Sequence, residues 1–592
     1  MNWMYDAMAF RHGRDAGGGG GRYAHAELVS GGPEDNHCPW HRQPWRPTLI
    51  VAHDLVMFAE TAFTQGGVGL FSTGAGRPLH PATEGRIGWG GFGGNHHAVY
   101  RKPQKMGVSA STLRTGVRLL IAREALVPGP DGVSAGRIAA LTAVLVTLAA
   151  GAGGIRHPLW ARVLGIGSWV KRGEVHGTVA PGFEGVRKAF KRNVDAGMER
   201  GAQLVIYHKG EKVVDLYGGT LGSAYDGESI QVIYSCSKNL GVLLIARAVE
   251  DGRLKYDTRV AEVWPEFAQA GKERITIADV LRHEAGLAYF KDGAQVAYEL
   301  AGRKRLDELA DFIAKQPPAW AYEKDLKPGA RIYHAFSRGF LLEEIVRRVD
   351  ARTRSLGEQV REDIAEPLGV TVVLGEPNEE EKKRISPLKF VSTAYYILRY
   401  YVKRMLFQAY PDDIPRFNAF ADPTSRLVRS FTPIDMSRLD TPAEYYNDPK
   451  FLDIECASVT AISNARSLGK IADLIARREY LKPETLEKME ANPIVKFDHS
   501  ILLETAYTQG GINVFGGGSK PWHPATEGHI GWGGFGGNMW TWMPDEEVGF
   551  AYLQNGNMLG SLFGFRDQRC LRISKALRVC LDKKAAAENK AK

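Results

Sequence analysis

Two short, mostly apolar runs, Ala202–His208 (AQLVIYH) and Lys212–Tyr217 (KVVDLY), flank Lys209-Gly210-Glu211. β-branched and aromatic residues interrupted by a glycine turn predict a β-hairpin. Beyond it, a long apolar stretch from Asn239 to Asp251 predicts a helix, as do Val186–Glu199 ahead of the hairpin and Phe340–Val349 (FLLEEIVRRV) behind the turn signal Pro328-Gly329. Residues 252–330 read as helix and loop. Met539–Met543 (MWTWM) and Val548–Leu553 (VGFAYL) read as strands, followed by a terminal helix to about Arg578 and a charged, fraying tail, Asp582–Lys592. Periodicity alone supports mixed α and β and nothing finer.

Candidate chemistry sits where these elements join. Ser235-Cys236-Ser237-Lys238 opens the Asn239 helix. Residues three apart on a helix share a face. A serine hydroxyl needs a nearby base to become a nucleophile, and a lysine amine serves once burial or neighbouring charge lowers its pKa. In isolation such a pair is more often a helix cap beside a solvated lysine. Tyr333-His334-Ala335 follows the Pro328-Gly329 turn, and a loop tyrosine there relays a proton if lysines lower its pKa. The third stretch, Gly528 to Asn538 (GHIGWGGFGGN), is glycine-rich and lets backbone lie close against a substrate with its N–H groups exposed.

Taken in this order, the three motifs resemble the serine β-lactamase/penicillin-binding-protein superfamily, in its class C-like and esterase-like branch. The resemblance runs from about Gly182 to Leu581, with connecting text at Ile275–Leu287, Lys327–Asp350, Ile364–Leu374 and Ala465–Leu474. It implies an α/β (α+β) architecture, an antiparallel sheet flanked by helices plus an all-helical subdomain. It implies Ser235 as the acylated nucleophile, Lys238 as the group helping to deprotonate it, and Tyr333 as the proton relay. His529-Ile530-Gly531 then stands where that family has K-T-G, with the backbone N–H groups of Ser235 and Trp532 as the oxyanion hole. A second register is open: Trp532-Gly533-Gly534 fits W-x-G and moves the second donor to Phe535. The first is preferred because G-H-x-G before an aromatic residue looks more like the esterase-like members.

Two departures narrow the substrate. A histidine, mostly neutral near pH 7, replaces the lysine of K-T-G, and Ala335 replaces the asparagine of Y-x-N. Both favour uncharged acyl or aromatic esters and small amides over anionic β-lactams. The expected activity is a serine hydrolase working through an acyl-enzyme. The alternative is a catalytically inactive or self-assembling scaffold of the same fold, since animal members of the superfamily include filament formers.

Two motif matches lack their context. Gly132-Val133-Ser134-Ala135-Gly136 fits the nucleophile elbow, but Pro128-Gly129-Pro130-Asp131 precedes it instead of a strand. The glycines at 531, 533 and 536 fit the dinucleotide fingerprint, but strand-like residues follow where a helix is needed.

Composition adds limits. The chain has 592 residues, 44% hydrophobic content and a net charge of +9 spread along its length, with no nucleic-acid module apparent. The run Glu379–Arg384 (EEEKKR) reads as a solvated loop. Five cysteines form no paired framework, and neither a C-x-x-C pair nor H-E-x-x-H occurs, so no metal and no cofactor are predicted. The partner expected is a small ester or amide, with membrane association and a homo-oligomer left open.

The first part of the chain is unusual. Residues 60–95 repeat residues 504–538, and Pro78–Asn95 differs from Pro521–Asn538 at only two of 18 positions. Residues 1–105 contain neither the serine nor the tyrosine motif, and a fragment this small cannot bury a core of its own. A poorly ordered partial duplicate is the first reading, an added strand the second, a mimic of the real segment the third. Residues 106–181 are expected to carry a basic segment and Ile138–Ile155, 18 uncharged residues between Arg137 and Arg156. That length is at the short edge of a membrane span, so a single-segment anchor is expected, with mitochondrial or cytoplasmic placement as the alternative. The hydrolase domain is expected over 182–581, with Leu388–Tyr410 as an inserted helix, either packed on the core or acting as an amphipathic lid.

Overall fold

The hairpin read from the sequence is the centre of an antiparallel sheet. The computed structural model describes residues 173–195, 198–291, 294–302, 304–390, 419, 422, 424–431, 446–517, 524–557 and 567–591. The duplicate at 60–95, the apolar stretch 138–155, the elbow-like match at 132–136 and nearly all of the 388–410 insertion lie outside them. Among the described residues, no helix is long and apolar enough to cross a membrane.

Nine strands form the main sheet: β1 (Glu174–Val179), β2 (Ala202–His208), β3 (Glu211–Gly219), β4 (Ile494–Asp498), β5 (Leu503–Tyr507), β6 (Asn513–Val514), β7 (Ile530–Gly533), β8 (Met539–Met543) and β9 (Val548–Gln554). Their order is β1-β3-β2-β9-β8-β7-β6-β5-β4, with every pairing antiparallel. The β2–β3 turn places Lys209 and Gly210 at φ of 53° and 83°, two left-handed residues whose twist suits a tight hairpin.

Side chains alternate across these strands, so each strand feeds two cores. Leu204, Ile206, Phe550 and Tyr552 face one helical layer, made by α1 (Glu184–Asp195) and the terminal α5 (Gln568–Ala591). Val205, Ala551, Leu553, Trp540 and Trp542 face the other side, where α2 (Lys238–Glu250), α3 (Ser337–Val349) and α4 (Ala465–Ala476) pack with the helical region between them. This is the sheet-and-helix arrangement that the resemblance implies.

Several boundaries differ from expectation. Strand β1, within the segment assigned to a basic leader, pairs with β3 at the sheet edge; its mostly exposed side chains give it no apolar signal. The terminal helix continues through the tail to Ala591, because Lys, Ala and Glu are good helix formers and Lys209 meets Glu588 at 3.3 Å. The run Glu379–Arg384 is a short helix instead of a loop. Asn378 caps it, and Lys382 and Lys383 pair with Glu379 and Glu380.

Candidate functional site

Ser235 lies in a 3-10 turn, Tyr234–Ser237, that leads directly into α2. The residue before it, Tyr234, has φ of 51°, a conformation that costs energy at an aromatic residue. Packing holds it there, because the buried Tyr234 ring meets Tyr446 at 4.8 Å and Phe535 at 5.5 Å between centroids. The turn leaves Ser235 partly exposed while Cys236, Ser237 and Lys238 are buried.

Lys238 begins α2 on the same face as Ser235. Its Nζ donates to the carbonyls of Ala335 at 2.8 Å and Ser458 at 3.1 Å. Burial, and then the nearby Arg338 charge, hold its pKa well below the ordinary lysine value. Tyr333 enters from the loop ahead of α3. Its backbone N–H donates to Ser500 Oγ at 2.9 Å and Asp498 Oδ1 at 3.2 Å, which fixes the ring. The Tyr333 hydroxyl lies 2.8 Å from Ser235 Oγ, and Lys238 Nζ lies 4.9 Å from the ring centroid. Ser235, Lys238 and Tyr333 are therefore brought together.

The expectation that lysine lowers the tyrosine pKa is not met. Burial raises it, and this outweighs the opposing Ser235 hydrogen bond and Arg338 charge. Tyr333 is a phenol near neutral pH, and the amine of Lys238 is the better proton acceptor. His334 is a framework residue. Its Nδ1 meets the Ile332 carbonyl at 2.6 Å, Nε2 accepts from the Leu287 N–H at 3.1 Å, and burial lowers its pKa to about 3.

His529 is not brought to Ser235. Its Nδ1 lies 3.0 Å from Thr541 Oγ1, and its ring packs edge-on against Phe550 at 5.4 Å, within the layer covered by α1 and α5. Burial, followed by the charge of Arg578, lowers its pKa to about 3. The preferred register is thus corrected. Trp532, three residues on and across the sheet, faces the cleft, which Gly533 and Phe535 also line. This geometry suits the Trp532-Gly533-Gly534 register.

The glycines serve close packing more than substrate contact. A Cβ on Gly531, at φ of 131°, would sit 2.5 Å from the Trp540 carbonyl oxygen on β8. One on Gly534 would sit 2.6 Å from the Ile233 carbonyl oxygen, so this glycine lets the end of β7 press on the turn carrying Ser235.

The cleft beside Ser235 is lined by Tyr333, Tyr507, Phe515, Trp532 and Phe535, with Thr505 and Asn513 as polar members. Among the described residues, no charged side chain lines it. Tyr507, Asn513, His283 and Arg338 were not singled out from the sequence, because each lies outside a motif and reaches the site only through folding. A groove of about 330 Å³ elsewhere is lined by ion-paired Arg361 and Glu381, and its one hydroxyl, on Thr371, accepts from Arg384 at 3.1 Å. Among the described residues, no group of three or more His, Cys, Asp or Glu side chains is placed to hold a metal ion.

The sequence model of the family described as Beta-lactamase matches residues 190–568. The protein named Esterase/beta-lactamase LipL, from Mycobacterium tuberculosis (strain ATCC 25618 / H37Rv), is 25% identical over 399 residues, covering 64% of this chain and 83% of that protein. The solved structure of a family VIII carboxylesterase shares 26% identity at a TM-score of 0.54, covering 69% of this chain and 100% of that one. A penicillin-binding protein homolog from Caulobacter crescentus shares 26% identity at a TM-score of 0.52, with the same coverage.

Proposed function

The chain belongs to the beta-lactamase family and is a hydrolase of that fold, and we propose that it works as a serine hydrolase, through an acyl-enzyme, on small uncharged esters or amides. The observation that carries this reading is the 2.8 Å contact between the Tyr333 hydroxyl and Ser235 Oγ beside a fully buried Lys238. With its pKa lowered by burial, Lys238 takes the proton of Ser235, and the phenol of Tyr333 is the relay between serine oxygen and leaving group.

Ser235 Oγ bonds to the substrate carbonyl carbon, and the bond from that carbon to the leaving oxygen or nitrogen breaks. The serine proton ends on the departing alcohol or amine. Water then attacks the acyl-serine, gives a proton back to Ser235 and releases the carboxylic acid. Backbone N–H groups of Ser235 and of Phe535, in the tryptophan register, are the proposed oxyanion donors.

Substrate class follows from the lining. A cleft walled by aromatic rings with only neutral polar groups rewards apolar acyl chains and leaves a substrate carboxylate without a counter-charge. The names of the relatives, an esterase/β-lactamase and a carboxylesterase, support the ester half of this reading.

A fluorophosphonate probe should label the folded protein at Ser235, and p-nitrophenyl ester hydrolysis should disappear in Ser235→Ala. Folded protein that resists labelling would sink the hydrolase proposal and favour the scaffold. Faster cleavage of anionic β-lactams than of the esters would overturn the substrate class alone.

A further inference from the structure

Three arginines are among the largest fully buried side chains, and two have evident partners. Arg331 meets Glu284 at 2.6 Å, and Arg569 meets Asp567 at 2.7 Å. Arg338, in the first turn of α3, has none: Nε, Nη1 and Nη2 are all buried without a hydrogen-bond partner among the described residues. No described carboxylate lies within ion-pair reach of it. Asp498, at the end of β4, accepts through Oδ1 from the N–H groups of Tyr333, Ser500 and Ile501, and its Oδ2 does not reach Arg338. A guanidinium removed from water with neither counter-charge nor acceptor is strongly disfavoured.

Two more donors share this neighbourhood. The Arg338 guanidinium lies over the Trp532 ring, its carbon 5.2 Å from the centroid, a cation–π contact that offsets only part of its charge, and among the described residues the indole Nε1–H is also buried without a hydrogen-bond partner. The His283 ring meets Trp532 edge-on at 5.5 Å. His283 Nδ1 accepts from the His334 N–H at 3.0 Å, so the hydrogen of the neutral ring is on Nε2, and Nε2 is buried without a partner among the described residues. Burial and the Arg338 charge keep this ring neutral. Around one indole, then, a cation and two N–H groups have no hydrogen-bond acceptor among the described residues. Tyr333 and Trp532 line the cleft, and Arg338, which does not, lies behind them.

We propose that Arg338, Trp532 Nε1 and His283 Nε2 form a buried site for a small monovalent anion of the halide class, behind the Tyr333–Trp532 wall of the cleft. Negative charge is what this donor set lacks, and full enclosure away from the cleft favours a small halide, which loses its hydration at lower cost than a carboxylate or phosphate. A water molecule supplies acceptors but leaves the Arg338 charge uncompensated. The site does not depend on the reaction proposed at Ser235, and protein inert toward esters would leave it standing.

Bromide-soaked crystals of the full chain, measured at the bromine absorption edge, test it. An anomalous peak within hydrogen-bonding distance of the Arg338 guanidinium and Trp532 Nε1 is expected. The melting temperature should be higher in sodium bromide than in sodium gluconate at equal ionic strength. Arg338→Met, similar in length and uncharged, should lose both the peak and the difference. If that variant does not fold, the wild-type diffraction and melting data decide alone. A water at Arg338 without anomalous signal overturns the proposal, as does bromide retained at the same place in Arg338→Met.

Discussion

Strand β7 and the residue just ahead of it place, on opposite sides of the sheet, two residues three apart in sequence and opposite in consequence. His529 sits on the side closed by α1 and α5, bonded to Thr541 and packed on Phe550. Trp532 sits on the side of the cleft, 5.4 Å from Tyr507 and 6.1 Å from Tyr333 between centroids. One stretch of glycines and aromatics therefore serves stability on one side and the site on the other. An odd separation along a strand is enough to separate the two roles.

Substitutions on each side should break in different ways. The largest effect is expected from Ser235→Ala, a fall in kcat of about 10⁴-fold or more, with the melting temperature little changed. A loss of less than tenfold on p-nitrophenyl acetate would remove Ser235 from the chemistry. Lys238→Met should cost about 10³-fold. Because the buried amine of Lys238 titrates well below the ordinary lysine value, the wild-type rate should rise with pH as that amine loses its proton, then level off. A pH–rate profile with no acidic limb would argue against the amine as base. Tyr333→Phe should cost about 10²-fold in kcat and keep the same acidic limb, since Tyr333 is a phenol throughout that range.

The smallest change in activity is expected across the sheet. His529→Leu should leave kcat/KM within about twofold, and its effect should appear in stability. The folded protein holds His529 near a pKa of about 3, whereas the unfolded chain takes up this proton near pH 6.5. Stability is therefore lost as pH falls from about 6.5 toward 3, by about 1.4 kcal/mol per unit for each such histidine. Urea midpoints at pH 7 and pH 5 should fall less in His529→Leu than in wild type, by the equivalent of about 2 kcal/mol. Equal falls would show that His529 does not titrate in this way.

Legibility tracked locality. The β2–β3 hairpin was readable because its turn residues and apolar alternation are contiguous. Ser235 and Lys238 were readable as a pair because a helical turn fixes their separation. The side of β7 was not: Gly528–Asn538 alternates too weakly to say which residues face inward, and glycine accepts either orientation. Trp532 is assigned its side by pairing with Trp540 on β8, and His529 by the α5 layer beneath it. Strand β1 was missed because an exposed edge strand needs no apolar pattern, and α5 ran past its expected end because its tail residues favour helix.

Read by itself, the chain determined a serine and a lysine one helical turn apart, a tyrosine after a turn, and mixed sheet and helix in the right order. Those properties depend on covalent spacing and short-range periodicity. Only the tertiary structure decided that Tyr333 meets Ser235 across 98 positions of chain, that Lys238 loses its water, and that Arg338 is enclosed with no counter-charge among the described residues. Distances between remote segments and the dielectric around a charge are set by what packs against what, and no window of sequence contains that information.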